Sequence, residues 1–161
     1  MTALPPGLFF ADPTSATHKL LHALLKRGKK GTAQAILLAT LRLLQDAVPA
    51  RSAHAVLRQA IQHVQPSFEF KRAKVGGLTQ LIPGALHPAQ GEQVAIRWLL
   101  AAARQKQAKT RTLKVRLYRF EHFLAQELLA AYSQQSELLG KKLEAHKLAE
   151  TNRALAYQRW W

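Results

Sequence analysis

The stretch "SFEFKRAKVGGLTQLIPG", residues 67–84, has a different period from everything around it. Phe68, Phe70, Arg72 and Lys74 fall on one face of an extended chain, and Glu69, Lys71, Ala73 and Val75 on the other. Gly76 and Gly77 permit the positive φ of a tight turn, after which Leu78, Gln80 and Ile82 answer on a return strand. The stretch therefore predicts a basic β-ribbon over about 67–82, closed by Pro83-Gly84. An isolated two-stranded ribbon is marginal in water. Its base has to rest on something, and its cationic tip needs a partner.

On both sides the period is helical. "DPTSATHKLLHALLKRG" (12–28) opens with helix-start residues, carries Leu20, Leu21, Leu24 and Leu25 on one face, and stops at Gly28. Thr32 is expected to cap a second helix, with Ala33, Ile36, Leu37, Leu41 and Leu44 inward, ending before Pro49. Ser52 caps a third, in which Val56, Leu57, Ala60, Ile61 and Val64 keep the 3.6-residue period until Pro66. Beyond the ribbon, a fourth is expected over about 93–106 with Val94, Trp98, Leu99 and Ala102 inward. A fifth spans roughly 111–133 through Leu113, Leu117, Phe120, Leu124 and Leu128. A sixth starts near Lys141, after "SQQS" and Gly140, and runs to the end. The fold class is mainly α: one six-helix domain with a protruding two-stranded β-ribbon. Residues 1–14 form an N-terminal extension and 15–161 the helical domain.

Charge points to the partner. The chain of 161 residues holds 24 Lys and Arg against 9 Asp and Glu, a formal +15. An excess of that size repels itself in the compact state and is neutralised by a polyanion, nucleic acid first and an anionic membrane surface second. The cations cluster. Lys26, Arg27, Lys29 and Lys30 surround the first helix–helix turn at Gly28, and Lys71, Arg72 and Lys74 arm the ribbon. Arg104, Lys106, Lys109, Arg111, Lys114, Arg116 and Arg119 make an acid-free run, while Arg97 and Arg104 share a helix face. Backbone N–H groups of "GKKG" add donors suited to phosphate oxygens. A membrane binder would set its cations opposite a broad apolar face on one helix; here they fall on separate elements. Base reading in the DNA major groove wants Asn, Gln or Arg at regular outward positions, whereas a cationic finger with Phe at its base suits RNA, recognised by shape, phosphates and stacking.

Other chemistry is weakly represented. With no Cys, disulfides, Cys-based zinc sites and thiol catalysis are excluded. His18 and His22 form an i,i+4 pair with no Cys or nearby carboxylate to complete a zinc set. No nucleotide loop or catalytic pairing of acids is present, so neither an enzyme nor a cofactor is expected. The best apolar run, "AILLATL" (35–41), stops at Arg42, short of a membrane span. No Lys or Arg precedes Lys19, which fits neither a signal peptide nor an Arg-rich transit peptide; the chain is expected to work where it is made, unless a presequence is missing from this sequence.

The segments "GKKGTAQAI" (28–36), "AIQHVQPSFEFKRAKVGGLTQLIP" (60–83), "AIRWLLAAARQK" (95–106) and "KKLEAHKLAETNRALAYQRWW" (141–161) together resemble the bacterial and organellar small-subunit ribosomal protein seven family. The likeness runs from Asp12 to Trp161, and the doubled terminal Trp and "IPG" are most similar to plant-type mitochondrial members. The resemblance implies a mainly α fold with a β-ribbon arm. It also implies binding to the three-prime major domain of small-subunit ribosomal RNA, initiation of head assembly, neighbouring small-subunit proteins, and a position near exit-site tRNA and the messenger channel. No homo-oligomer is implied. By this resemblance Gly28, Lys29, Lys30, Lys71 to Gly77, Arg97 and Arg104 fall on the RNA-facing surface, with Lys74 to Gly77 reaching toward the exit site. A mitochondrial ribosome is the implied location, with a bacterial cytoplasmic or plastid ribosome as the alternative. Two segments depart from the bacterial pattern: residues 1–18 carry no cation, and "HPAQGEQ" (87–93) replaces a basic stretch. The basic run 104–119 is expected to compensate. The competing reading from another class is a nucleoid-type DNA-binding protein.

Overall fold

The computed structural model describes residues 15–112 and 119–158. Among these, six α-helices and one hairpin follow in the order α1 (Ala16–Leu24), α2 (Lys30–Ala47), α3 (Ala53–Val64), β1 (Phe68–Val75), β2 (Leu78–Ala85), α4 (Pro88–Thr112), α5 (Phe120–Tyr132) and α6 (Glu137–Thr151), with a 3-10 helix at Arg153–Gln158. The mainly α architecture with a two-stranded antiparallel ribbon is thus the one that the periodicities predict.

Local chemistry explains most of the starts. The Ser15 and Ser52 hydroxyls accept the N–H groups of His18 and Ala55, relieving donors that the first helical turn leaves unpaired. α2 begins earlier than expected: Lys29 is its cap, and Thr32 lies inside the first turn, donating its hydroxyl to the Lys29 carbonyl. α1 ends at Leu24 rather than at Gly28, because the chain turns through left-handed Arg27 and Gly28.

α4 differs most from expectation. It starts at Pro88, not near Gln93, since Pro at a first helical position loses only an N–H that had no intrahelical partner. His87 precedes it: its Nδ1 accepts the Ala89 N–H at 3.4 Å, and its carbonyl accepts those of Gln90 and Gly91. "HPAQGEQ" is thereby helical. α5 starts at Phe120; of the residues assigned to a fifth helix from 111, Arg111 and Thr112 end α4, and Leu113 and Leu117 lie outside the described residues. α6 starts at Glu137, with Gly140 inside it, because Ser136 caps it by accepting the Leu138 N–H. It stops at Thr151, where a 3-10 turn takes over.

α5 is the axis of the body, packing on α2, α3 and α4. It is apolar almost all round, as a central helix must be, burying Phe123, Leu124, Leu128 and Ala131. Facing it are Leu37, Leu41 and Leu44 from α2, Val56, Leu57, Ala60 and Ile61 from α3, and Ala95, Ile96, Leu99, Leu100 and Ala103 from α4. Trp98, expected inward, is half-buried at the core's edge, with the Lys141 ammonium 4.5 Å from its ring centroid. Val94 and Ala102 are half-buried too.

The ribbon pairs Phe68 with Ala85 through to Val75 with Leu78, leaving Gly76 and Gly77 as a two-residue turn at φ +57° and +85°. Two successive positive φ values suit the right-handed twist of a hairpin. The ribbon does not close at Pro83-Gly84: both pair with β1, opposite Phe70 and Glu69, and are buried at its base. That base rests on α6 and the 3-10 helix. The Phe68 ring meets His146 edge-on at 5.4 Å, and the Ser67 N–H donates to His146 Nε2.

Candidate nucleic-acid interface

Two helices and a loop assemble a cationic surface. α1 lies on α4, and a groove of about 570 Å³ between them is lined by His18, Lys19, His22, Gln93, Arg97 and Arg104. It meets a second groove where Lys26, Arg27 and Lys29 stand beside Arg104, with Thr32, Gln107 and Phe120 completing the wall. Arg104 lines both and joins them. Lys19 is ion-paired with Glu92, which ties α1 to the start of α4 and removes one positive charge from the groove. Lys26, Arg27, Lys29, Arg97 and Arg104 then remain, and no carboxylate is among the residues lining either groove.

The turn between α1 and α2 sets the reach of its cations. Arg27 holds φ +53° and Gly28 +72°, so the chain reverses within four residues and leaves Lys26 to Lys30 exposed. Two of the amides expected to serve phosphate are occupied internally: Lys29 N–H donates to the Lys26 carbonyl and Lys30 N–H to that of Gly28. On this turn it is the side chains that offer charge.

Ribbon cations form a separate patch. Lys71, Arg72 and Lys74 are exposed, and the Lys71 ammonium lies 3.6 Å from the Glu69 carboxylate on the same strand face. Arg72 and Lys74 project from the opposite face, paired across the ribbon with Leu81 and Thr79. The tip is also apolar: Leu78 is 69% exposed.

The acid-free run 104–119 does not act as one surface. At 3.6 residues per turn, Lys106 lies about half a turn round α4 from Arg97. It points into a depression shared with α5 and α6, lined also by Lys109, Glu127, Glu137, Lys141 and Glu144. There the Lys106 ammonium sits 2.5 Å from Oε2 of the buried Glu127, whose Oε1 accepts the Ser136 hydroxyl at 2.7 Å. That face is mixed in sign. Arg111 belongs to α4, while Lys114 and Arg116 lie outside the described residues. Trp160 and Trp161 lie outside them too. Among the described residues no group of three or more His, Cys, Asp or Glu could hold a metal, and no helix is long and apolar enough to cross a membrane.

The chain matches the family described as ribosomal protein S7p/S5e over residues 6–153. It belongs to that family. Among S7p/S5e relatives it is similar to small ribosomal subunit protein uS7 of Thermotoga neapolitana, 33% identical over 157 residues, covering 98% of this chain and 94% of the relative. The protein of the same name from Nitratiruptor is 33% identical over 142 residues, 88% of this chain and 85% of the relative. That of Mesomycoplasma hyopneumoniae is 32% identical over 153 residues, 93% and 92% of the two chains. The S7p/S5e match begins at residue 6 and so takes in residues 6–14 of the cation-free extension, whose structure lies outside the described residues.

Two links of the site escape a reading of the chain. Lys19 and Glu92 are 73 positions apart and Ser67 and His146 are 79 apart, and no local pattern marks either pair. Arg104 beside the α1–α2 turn is likewise a product of packing.

Proposed function

We propose that this S7p/S5e protein binds the three-prime major domain of small-subunit ribosomal RNA, using the α1–α4 groove with its adjoining turn and the β-ribbon as two contacts. The carrying observation is the convergence of Lys26, Arg27, Lys29, Arg97 and Arg104 on one face lined by no carboxylate. Phosphates supply most of the affinity of such a surface, and counterion release makes it steeply salt-dependent. Shape and backbone contacts suit structured RNA, whose deep major groove side chains cannot read. Lys71, Arg72, Lys74, Gly76 and Gly77 form the second contact, with the tip at Lys74 to Gly77 reaching toward exit-site tRNA and the messenger channel. Holding two RNA regions with one rigid body organises the subunit head, around which neighbouring small-subunit proteins assemble. Gly28, Lys30, Lys109, Arg111 and Lys114 are further candidate RNA contacts by this reading, Lys114 lying outside the described residues. Lys106 contributes less, since Glu127 holds its ammonium. A mitochondrial ribosome is the location favoured by the likeness of the C-terminal Trp pair and "IPG" (82–84) to plant-type mitochondrial members; fractionation that finds the chain only on bacterial-type or plastid ribosomes overturns that part.

The test is competition at matched salt between a three-prime major domain RNA fragment and duplex DNA of equal length. Preference for the RNA fragment by tenfold or more is expected. Equal affinity for both would replace this reading by the nucleoid-type one.

A further inference from the structure

The α1–α4 groove contains two titratable residues that its permanent charges leave unexplained. His18 and His22 stand one turn apart on α1 with Nε2 atoms 3.2 Å apart, ring centroids at 4.3 Å and ring planes tilted by 57°. The two nitrogens meet in a hydrogen bond within the groove, which Arg97 and Arg104 line from α4. Such convergence suits either a cation held between two lone pairs or an anion held between two N–H groups. The surroundings decide. From α4 the charged groups facing the pair are Arg97, Arg104 and Glu92, and from α1 Lys19; Glu92 is engaged by Lys19, so the field left at the pair is positive. A metal ion would be repelled, and among the described residues it finds no third ligand.

We propose that His18 and His22 form a proton-coupled phosphate seat, in which entry of an RNA phosphate draws protons onto the imidazoles and turns the 3.2 Å N···N contact into two N–H donors to phosphate oxygens. The inference rests on the reading of this groove as RNA-binding and adds residues and a proton to it. Imidazole is the side chain whose ordinary charge change falls between pH 5 and 8. Two imidazolium groups at this separation repel each other, and a phosphate between them converts that repulsion into two charge-assisted hydrogen bonds. Charge on the groove then rises where RNA is present. Protonation is favoured in the bound state, so affinity rises as pH falls.

Affinity of the full chain for a three-prime major domain RNA fragment, measured over a salt series at about pH 6 and about pH 8, tests this with the variants H18Q/H22Q and H18K/H22K. The unaltered chain is expected to bind on the order of tenfold tighter at the lower pH, with a salt slope steeper by about one to two. H18Q/H22Q should lose that increment, its affinity and salt slope varying little between the two pH values; H18K/H22K should bind tightly at both. RNA should also raise the midpoints of the His18 and His22 ring signals in an NMR titration, a readout that needs no variant to fold. Full pH dependence retained in H18Q/H22Q, or ring midpoints unmoved by RNA, overturns the proposal. The parent reading fails separately: if R97Q/R104Q binds with unchanged affinity and slope at the higher pH, the groove does not carry RNA at all.

Discussion

Lys106 and Glu127 meet 2.5 Å apart, Nζ to Oε2, joining the middle of α4 to the central helix α5. Glu127 is 1% exposed, and its second oxygen accepts the hydroxyl of Ser136, the residue that also caps α6. One buried carboxylate therefore ties three helices together, and a lysine from a basic run becomes part of the body's scaffolding.

Removing that lysine should cost stability and leave RNA binding nearly intact. K106M strands the Glu127 charge in the interior; with water able to reach the half-exposed ammonium site, a loss of about 1–3 kcal/mol is expected. E127Q keeps an oxygen for Ser136 and should lose less. Urea unfolding gives both values, and the salt slope of RNA binding should not change in K106M.

Neutralising the groove should do the reverse. R97Q/R104Q removes two exposed cations that make no ion pair within the groove, so the slope of log affinity against log salt should drop by about 1.4–1.8 while the melting temperature stays put. An unchanged slope would move the RNA contact elsewhere.

The ribbon turn tests the second contact. Gly76 and Gly77 hold positive φ at a tip where an added Cβ meets nothing within 4 Å, so only backbone conformation opposes a side chain there. G76V/G77V should cost about 1–2 kcal/mol per residue locally, loosening the ribbon. RNA affinity should fall and ribbon amide exchange quicken, with no change in the melting of the helical body.

Acid should weaken the fold through His54. Burial disfavours its charged form and lowers its pKa, and its Nδ1 lies 2.9 Å from the hydroxyl of buried Thr17. With the folded value below the ordinary 6.5 of the unfolded chain, the stability contributed is present above about pH 6.5 and is lost as pH falls from there through the folded value. H54Q should show a smaller drop in melting temperature between about pH 7.5 and 5.5 than the unaltered chain; equal drops would remove His54 from the account.

Gly91 should tolerate no side chain. A Cβ there would come within 2.9 Å of Gln65 Nε2 and 3.0 Å of the Pro66 carbonyl oxygen. The Gln65 side chain donates to the Pro88 carbonyl, pinning the start of α4 to the end of α3. G91A gains about 1 kcal/mol of helix propensity but forces this contact apart at about 1–3 kcal/mol. A net fall in stability is expected by denaturant unfolding, and a rise would mean that the contact gives freely.

The ribbon, its glycine turn, the Ser52 cap and the apolar stripe of α3 were all readable along the chain, because each depends on neighbours a few residues away: strand alternation, the φ that a turn demands, a hydroxyl reaching the first helical turn. The family is written there too, in the segments around Gly28, Gly76, Arg97 and Asn152. Where α4 begins and α6 is capped was less legible, since Pro88 and Ser136 act with distant partners, Gln65 and Glu127. The run from Arg104 to Arg119 reads as one basic strip, yet packing sends Arg104 to the α1–α2 turn and Lys106 to a buried carboxylate on the far side of the same helix. Charge along a chain is set by composition; the face on which a charge stands, and whether an acid already holds it, depends on helix rotation and on contacts tens of residues apart. The cations come from the sequence, and the two adjoining grooves that gather five of them come from the folded body.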